Sequence, residues 1–134
     1  SDEWTLDTGG LNAKWFDDVL TLPAKKQFFR HFLAGLSALI ILHDNQAAII
    51  MQIISHLGVT IPEDISVVSI DNLNLCELMR PRLDSVDLQI FQNAPGALDI
   101  INGKTTASIH GAMKLQIRDS VSFINSTIHQ QKRL

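Results

Sequence analysis

The sequence predicts an α/β fold, a partial doubly wound parallel sheet with helices packed on it. Two short apolar runs, Ser37 to Leu42 and Ile65 to Ile70, are rich in β-branched residues and have the character of strands buried on both faces. The segment between them has the length and end signals of a helix. Strand, helix and strand follow one another through short turns, which predicts a βαβ unit with a right-handed crossover.

Two helices are expected before the first strand, over Ala13 to Leu20 and over Ala24 to Leu33. Pro23 suits the first turn of the second helix because its fixed φ is already helical. Gly35 is expected to end that helix, since glycine is common just past a helix C-terminus.

The helix inside the βαβ unit is expected from about Gln46 to His56. Asp44 or Asn45 is expected to cap its N-terminus, because short polar side chains accept hydrogen bonds from the first free N–H groups of a helix. Gly58 follows just past its end, where a left-handed residue often stops a helix.

The pattern is weaker beyond the second strand. A short extended segment is expected at Asp84 to Leu88, followed by a helix within Gln89 to Asn102 that Pro95-Gly96 should kink or restart. Ala112 to Ile117 alternates apolar and polar residues, which predicts a half-buried strand. Val121 to His129 fits either a terminal helix or a tail.

Composition narrows the class of protein. The chain has 134 residues, 46% hydrophobic and 19% charged, which argues against disorder and for one domain or part of one. A net charge of −3 disfavours a surface that tracks nucleic-acid phosphates. The single cysteine excludes an internal disulfide. No signal peptide or apolar run of membrane-spanning length is visible, so we expect a soluble, cytoplasmic protein without membrane contact.

Polar residues follow both buried strands, with His43-Asp44-Asn45 after the first and Asp71-Asn72 after the second. In open α/β sheets, ligands bind in the crevice at the carboxyl ends of the strands. Carboxylates and amides there can exchange hydrogen bonds with a polyhydroxylated ligand, which makes Asp44, Asn45, Asp71 and Asn72 candidate ligand-binding residues. Alternatively, Asp44 or Asn45 only caps a helix and Asp71 only begins a turn.

Nothing in the sequence predicts catalysis, a metal site or a cofactor. The histidines show no helical or hairpin pairing of the kind that zinc ligands require. Ser66 or Ser69 together with His43 and Asp71 would supply the residue types of a hydrolytic triad, but no Gly-x-Ser-x-Gly elbow accompanies them. We therefore expect a binding protein rather than an enzyme.

A longer stretch resembles a known family. Leu57 to Asn72, with the sequence LGVTIPEDISVVSIDN, is similar to the pattern L-G-x-x-(I/V)-P-x-D-I-S-V-V-G-F-D-D. That pattern is typical of effector-binding domains in lactose/galactose-repressor-family transcription regulators, which are also fused to winged-helix domains in arabinose-type repressors. The resemblance extends through Arg80 to Val86 and ends at Leu115 to Ser120, so that it covers roughly residues 38 to 121.

The resemblance implies a fold of the periplasmic-binding-protein-like type, in which residues matching Asp44 and Asp71 hydrogen-bond sugar hydroxyls. Asp44-Asn45 stands where the family usually has Asn-Asp, and Asn72 replaces the second Asp of the motif. The family's domain has two lobes and is considerably longer, so this chain resembles its C-terminal half. The implied parts are a second-lobe βαβ core at about 24–84, a return segment to the first lobe at about 85–121, and a tail at 122–134.

The leading hypothesis is the sensor portion of a bacterial transcriptional repressor. It would bind a small sugar or sugar derivative, form a homo-oligomer, and control DNA binding by a separate domain. The alternative is a solute-binding module of a sugar transport system. Because a half-domain leaves sheet edges and apolar faces uncovered, we also expect either a homodimer or larger assembly, or rearrangement of the strands into one continuous sheet.

Overall fold

A computed structural model describes residues 13–106 and 111–122, with side chains from residue 17 onward. The predicted tail, apart from its first residue, lies outside the described residues. The elements in chain order are helices α1 (Ala13–Thr21) and α2 (Pro23–Ala34), strand β1 (Ala38–Ile41), helix α3 (Asp44–His56), strand β2 (Ser66–Ile70), helix α4 (Leu75–Leu78), strand β3 (Asp84–Asp87), helix α5 (Ile90–Ile101) and strand β4 (Lys114–Gln116).

The four strands form one sheet in the order β1-β2-β3-β4. β1, β2 and β3 are parallel, with Ile41 opposite Ser69 and Ser69 opposite Ser85. β4 is antiparallel to β3. The α/β fold class with a mostly parallel sheet is confirmed, and the strands form the single continuous sheet that was one of the two alternatives expected from the sequence.

The hydrophobic core lies between one face of the sheet and the helices α1, α2 and α3. Along β2, Val67 and Ser69 are buried while their neighbours are only partly covered, which is the alternation of a strand covered on one face. Phe29 and Phe32 of α2 pack with their ring centroids 6.1 Å apart. The buried core residues are Val19, Phe29, Leu33, Ile41, Ala47, Met51, Ile53, Ile54, Leu57, Ile65, Val67, Cys76 and Leu83.

The opposite face of the sheet is largely uncovered within the described residues. We call it the open sheet face and define it by Ile40, Val68, Leu115, Ile117 and Val121, which line one groove. Ile40 is 75% exposed and Ile117 is 80% exposed. The strand expected over Ala112 to Ile117 is present as the shorter β4, but its expected burial is wrong among the described residues, since Met113, Leu115 and Ile117 are 69%, 49% and 80% exposed.

The predicted cap of α3 is wrong. The helix begins at Asp44, its N-cap position is His43, and no side chain caps it. Asp44 cannot act as the cap because it is already the first helical residue and its carboxylate is bound elsewhere, as described below. The C-terminal prediction holds, since Gly58 follows the helix with a φ of 76°, a left-handed conformation that favours glycine.

Two further expectations concern the chain after β2. Of the two outcomes expected at Pro95-Gly96, the restart is absent, because α5 continues through both residues, although Pro95 has no N–H to donate to the preceding turn. The kink there stays a prediction. None of the residues of α5 is buried. The expected boundary between the βαβ core and the return segment, near residues 84–85, falls at the start of β3. The strands before it, β1 and β2, and the strands β3 and β4 share one sheet here. The assignment of 85–121 to another lobe stays a prediction.

Among the described residues, no helix combines the length and the apolar character that a membrane span requires.

Candidate functional site

The carboxyl ends of β1 and β2 lie side by side. The two strands are parallel and in register, with Ile41 opposite Ser69, so the segments that follow them leave the sheet at the same edge. The first of these segments leads into α3 through His43, and the second contains Asp71 and Asn72. The structure thus brings together the two polar clusters that the sequence placed after the strands.

Asp44 is the buried centre of this edge. Its side chain has no solvent exposure, and its Oδ1 accepts hydrogen bonds from the hydroxyls of Ser69 and Ser85, the latter over 2.7 Å. Its Oδ2 accepts a hydrogen bond from the backbone N–H of Leu73 over 2.6 Å. One carboxylate therefore ties the start of α3 to β2, to β3 and to the loop after β2.

Asp71 is the carboxylate at this edge that reaches solvent. Its side chain is 30% exposed, and its Oδ2 lies 3.2 Å from Nδ1 of His43, a distance that fits a hydrogen bond from the ring N–H to the carboxylate. The His43 side chain is 61% exposed. Asp71 has a φ of 111°, a conformation that costs free energy for a residue with a Cβ and that is concentrated at functional sites.

Asn72 is held at both ends of its amide. Its Oδ1 accepts a hydrogen bond from Nη2 of Arg118 over 2.7 Å, and its Nδ2 donates to Oδ2 of Asp87 over 3.3 Å. Its backbone N–H donates to the hydroxyl of Ser85 over 3.0 Å. Asn45, the remaining predicted site residue, is exposed in the first turn of α3.

Cys76 lies beneath the site in α4. It is fully buried, and burial, with a smaller contribution from the neighbouring Asp44 carboxylate, raises the pKa of its thiol to about 12. The thiolate form is therefore strongly disfavoured, and Cys76 belongs to the packing below the site.

The arrangement offers hydrogen-bond acceptors and donors at the strand ends. Ser69, considered for a triad, donates its hydroxyl to Asp44 instead of to His43. Within residues 13–106 and 111–122, no three His, Cys, Asp or Glu side chains gather as metal ligands would. Asp71 and the exposed amide of Asn45 have the chemistry to bind hydroxyl groups of a ligand at the strand ends.

Comparison with known proteins identifies the domain. A family model described as a periplasmic binding protein-like domain matches residues 4–106. The chain belongs to this family. By sequence, no curated protein matches it. The sheet edge that carries His43, Asp44 and Asp71 falls within the matched part of this periplasmic binding protein-like domain.

Solved structures of transcription regulators resemble this domain. The LacI family transcriptional regulator CCPA from Weissella paramesenteroides, with bound sucrose, is 29% identical with a TM-score of 0.58, over 66% of this chain and 33% of that one. A transcription regulator from Lactobacillus plantarum is 25% identical with a TM-score of 0.61, over 84% of this chain and 47% of that one. The resemblance to lactose-repressor-family regulators is confirmed.

A third structure supports the fold. The LacI family transcriptional regulator from Enterococcus faecium, with bound ribose, has a TM-score of 0.58 at 24% identity, over 72% of this chain and 38% of that one. This periplasmic binding protein-like domain spans less than half the length of each of the three regulators.

Two residues of the site, His43 and Arg118, were not among the ligand-binding residues expected from the sequence. His43 carried a usable signal, because it is the first polar residue after β1 and so belongs at the ligand edge like Asp71. Arg118 carried no local signal and was marked only by the family resemblance, since 46 residues separate it from Asn72 and the two meet only once β4 has returned antiparallel to β3.

Proposed function

We propose that this domain is the sensor portion of a bacterial transcriptional repressor and that it binds a small sugar or sugar derivative at the carboxyl ends of β1 and β2. The observation that carries the proposal is the Asp71–His43 pair, a partly exposed carboxylate held beside an imidazole at the point where α/β sheets bind ligands. Asp71 is the principal contact, accepting hydrogen bonds from sugar hydroxyls.

Asn45 and Asn72 complete the proposed contacts with the sugar, and the buried Asp44 supports the site. The amides of Asn45, at the start of α3, and of Asn72, next to Asp71, add donors and acceptors. Asp44, buried with both oxygens occupied, keeps the two strand ends and the loop at Leu73 in place. The similar regulators whose structures contain sucrose and ribose support a sugar as the class of ligand.

The proposed mechanism is linkage between sugar binding and DNA binding. A sugar that binds one arrangement of the two lobes more tightly shifts the population toward that arrangement, and this changes the spacing of DNA-binding domains elsewhere in the protein. The function requires no catalytic group or cofactor. We place the protein in the cytoplasm as a homo-oligomer whose contact with DNA is made by a separate domain.

The test is calorimetric titration of the full-length protein with ribose, sucrose, lactose and glucose. Replacing Asp71 by Ala is expected to weaken binding by about 1–3 kcal/mol, the range for a hydrogen bond to a charged group. Glu63→Ala, which removes an exposed carboxylate in the turn before β2, is the matched control and should bind as the wild-type protein does.

Equal affinity of the Asp71→Ala variant and the wild-type protein would overturn the assignment of Asp71. A full-length protein that carries an export signal in place of a DNA-binding domain would favour the alternative of a transport-system binding module.

A further inference from the structure

Arg118 is a nearly buried cation that contacts the loop of the proposed sugar site from behind. Its side chain is only 9% exposed, and its Nη2 donates to Oδ1 of Asn72 over 2.7 Å. Nη1 donates to the backbone carbonyl of Leu83 over 2.9 Å, and Nε donates to Oε1 of Glu77 over 2.5 Å. All three nitrogens of the guanidinium are therefore engaged by three different segments of the chain.

The position of Arg118 is itself fixed by its backbone. The N–H of Arg118 donates to Oδ1 of the buried Asp84 over 2.8 Å, and the N–H of Ser120 donates to the other oxygen of that carboxylate over 2.7 Å. The hydroxyl of Ser120 also donates to the carbonyl of Val67 in β2 over 2.6 Å. The segment after β4 is thus anchored to the starts of β2 and β3, and the arginine projects from a rigid base.

The loop that Arg118 contacts needs such support. Asp71 and Asn72 have φ values of 111° and 54°, and residues other than glycine hold such conformations only where surrounding contacts impose them. Three consecutive N–H groups are bound: Asp71 to the carbonyl of Val86, Asn72 to Ser85 and Leu73 to Asp44. Arg118 fixes the Asn72 side chain by donating to its Oδ1. The Nδ2 of the same amide donates to Asp87, and the positive charge of Arg118 offsets the negative charge of that carboxylate.

We infer that Arg118 is a positioning residue for sugar binding: it fixes Asn72, and through it the orientation of Asp71, without touching the ligand. The inference rests on the function proposed above. It requires the planar fork of an arginine, because a lysine ammonium carries its three donors on one nitrogen and cannot span Asn72, Leu83 and Glu77 together.

The experiment compares Arg118→Met, Arg118→Lys and Arg82→Met in the full-length protein. Arg82 is the matched control, since its Nη1 also lies 3.7 Å from Glu77 but its guanidinium pairs with Asp119 over 2.7 Å, at an exposed position, instead of with Asn72. Both Arg118 variants are expected to weaken binding of whichever of ribose, sucrose, lactose or glucose the wild-type protein binds, by about tenfold. Arg82→Met is expected to leave that affinity unchanged.

A double-mutant cycle separates positioning from general destabilisation. Asn72→Gly removes the side-chain amide, and glycine tolerates the left-handed φ of this position. If Arg118 acts through Asn72, the double variant Asn72→Gly/Arg118→Met binds sugar no more weakly than the weaker-binding of the two single variants. Additive losses would overturn the inference. If Arg118→Met does not fold, Arg118→Lys takes its place in the cycle.

A second readout does not depend on sugar. Hydrogen exchange of the backbone N–H groups of Asn72 and Leu73 is expected to be faster in both Arg118 variants than in Arg82→Met, while the N–H groups inside α3 exchange alike. Equal exchange at Asn72 and Leu73 in all variants would overturn the positioning role. If the wild-type protein binds none of the four sugars, the proposed function fails, and the exchange measurement still decides whether Arg118 holds the loop.

Discussion

Asp44 and Leu73 are joined by a hydrogen bond of 2.6 Å from the backbone N–H of Leu73 to Oδ2 of Asp44, although 29 residues separate them. The bond connects the first residue of α3 to the loop that carries Asp71. Since the other oxygen of Asp44 accepts hydrogen bonds from the hydroxyls of Ser69 and Ser85, the carboxylate links α3 to β2, to β3 and to the loop after β2. Its burial makes this link strong, because water cannot replace any partner that is lost.

The first prediction is that Asp44→Ala destabilises the fold by about 3 kcal/mol, since it leaves two buried hydroxyls and one partly buried N–H without their acceptor. Urea unfolding followed by circular dichroism measures the change. Asn45→Ala is the matched control at the next position, where the side chain is exposed, and it should change stability by less than about 0.5 kcal/mol. Equal effects of the two substitutions would show that the Asp44 network contributes nothing specific.

Local sequence patterns predicted the secondary structure around Asp44 and Asp71. The β-branched runs of β1 and β2 and the helix between them follow from composition and periodicity, and the register of two parallel strands then places their polar ends together. The local patterns did not predict which of these polar side chains are buried and which face solvent. Asp44 and His43 are adjacent, yet one is fully buried and the other mostly exposed, because the first turn of α3 rotates Asp44 toward Ser69 and Ser85.

Long-range contacts were beyond local patterns. Ser85 was part of an extended segment with nothing to mark it as a partner of Asp44, 41 residues earlier. Arg118 belonged to a motif known only from the family resemblance, and its contacts arise where β4 pairs with β3. The sequence also left open whether α5 continues or restarts at Pro95, since a proline removes one hydrogen bond from a helix without always ending it.

The second prediction concerns alkaline pH. Burial raises the pKa of the Cys76 thiol to about 12, against 9.0 for an unperturbed thiol, so the folded state holds the proton more tightly than the unfolded state. The associated stability is complete below about pH 9 and is lost as the pH rises toward 12. Between pH 8 and pH 10 the free energy of unfolding should therefore fall by on the order of 1 kcal/mol through this group.

Cys76→Ala provides the control for that measurement. The chain has no tyrosine, so the thiol and the lysines are the side chains that titrate in this range, and the lysines are common to both proteins. The variant is expected to lose less stability than the wild-type protein between pH 8 and pH 10 in urea unfolding. Parallel pH dependences of the two proteins would contradict a buried, protonated thiol. Iodoacetamide should likewise label Cys76 slowly at pH 8 until denaturant is added.

The third prediction is self-association of the 134-residue chain through the open sheet face. Ile40, Leu115 and Ile117 are 75%, 49% and 80% exposed and line one groove together with Val68 and Val121. Contiguous exposed apolar surface of this kind favours association, because burying it against a second copy removes it from water. Light scattering at high micromolar concentration is expected to give a mass of at least twice 14.9 kDa.

Charged substitutions distinguish this face from other apolar surface. Ile40→Glu combined with Ile117→Lys places two charges in the groove, where association would have to desolvate them, and is expected to return the chain to a monomer. Leu78→Glu is the matched control, since Leu78 is 79% exposed but lies on α4. A wild-type mass near 14.9 kDa with a cooperative thermal transition would refute the prediction, because it would mean that the sheet is stable with this face in water. A doubly substituted chain that still associates while Leu78→Glu does not would instead move the contact to the α4 side of the molecule.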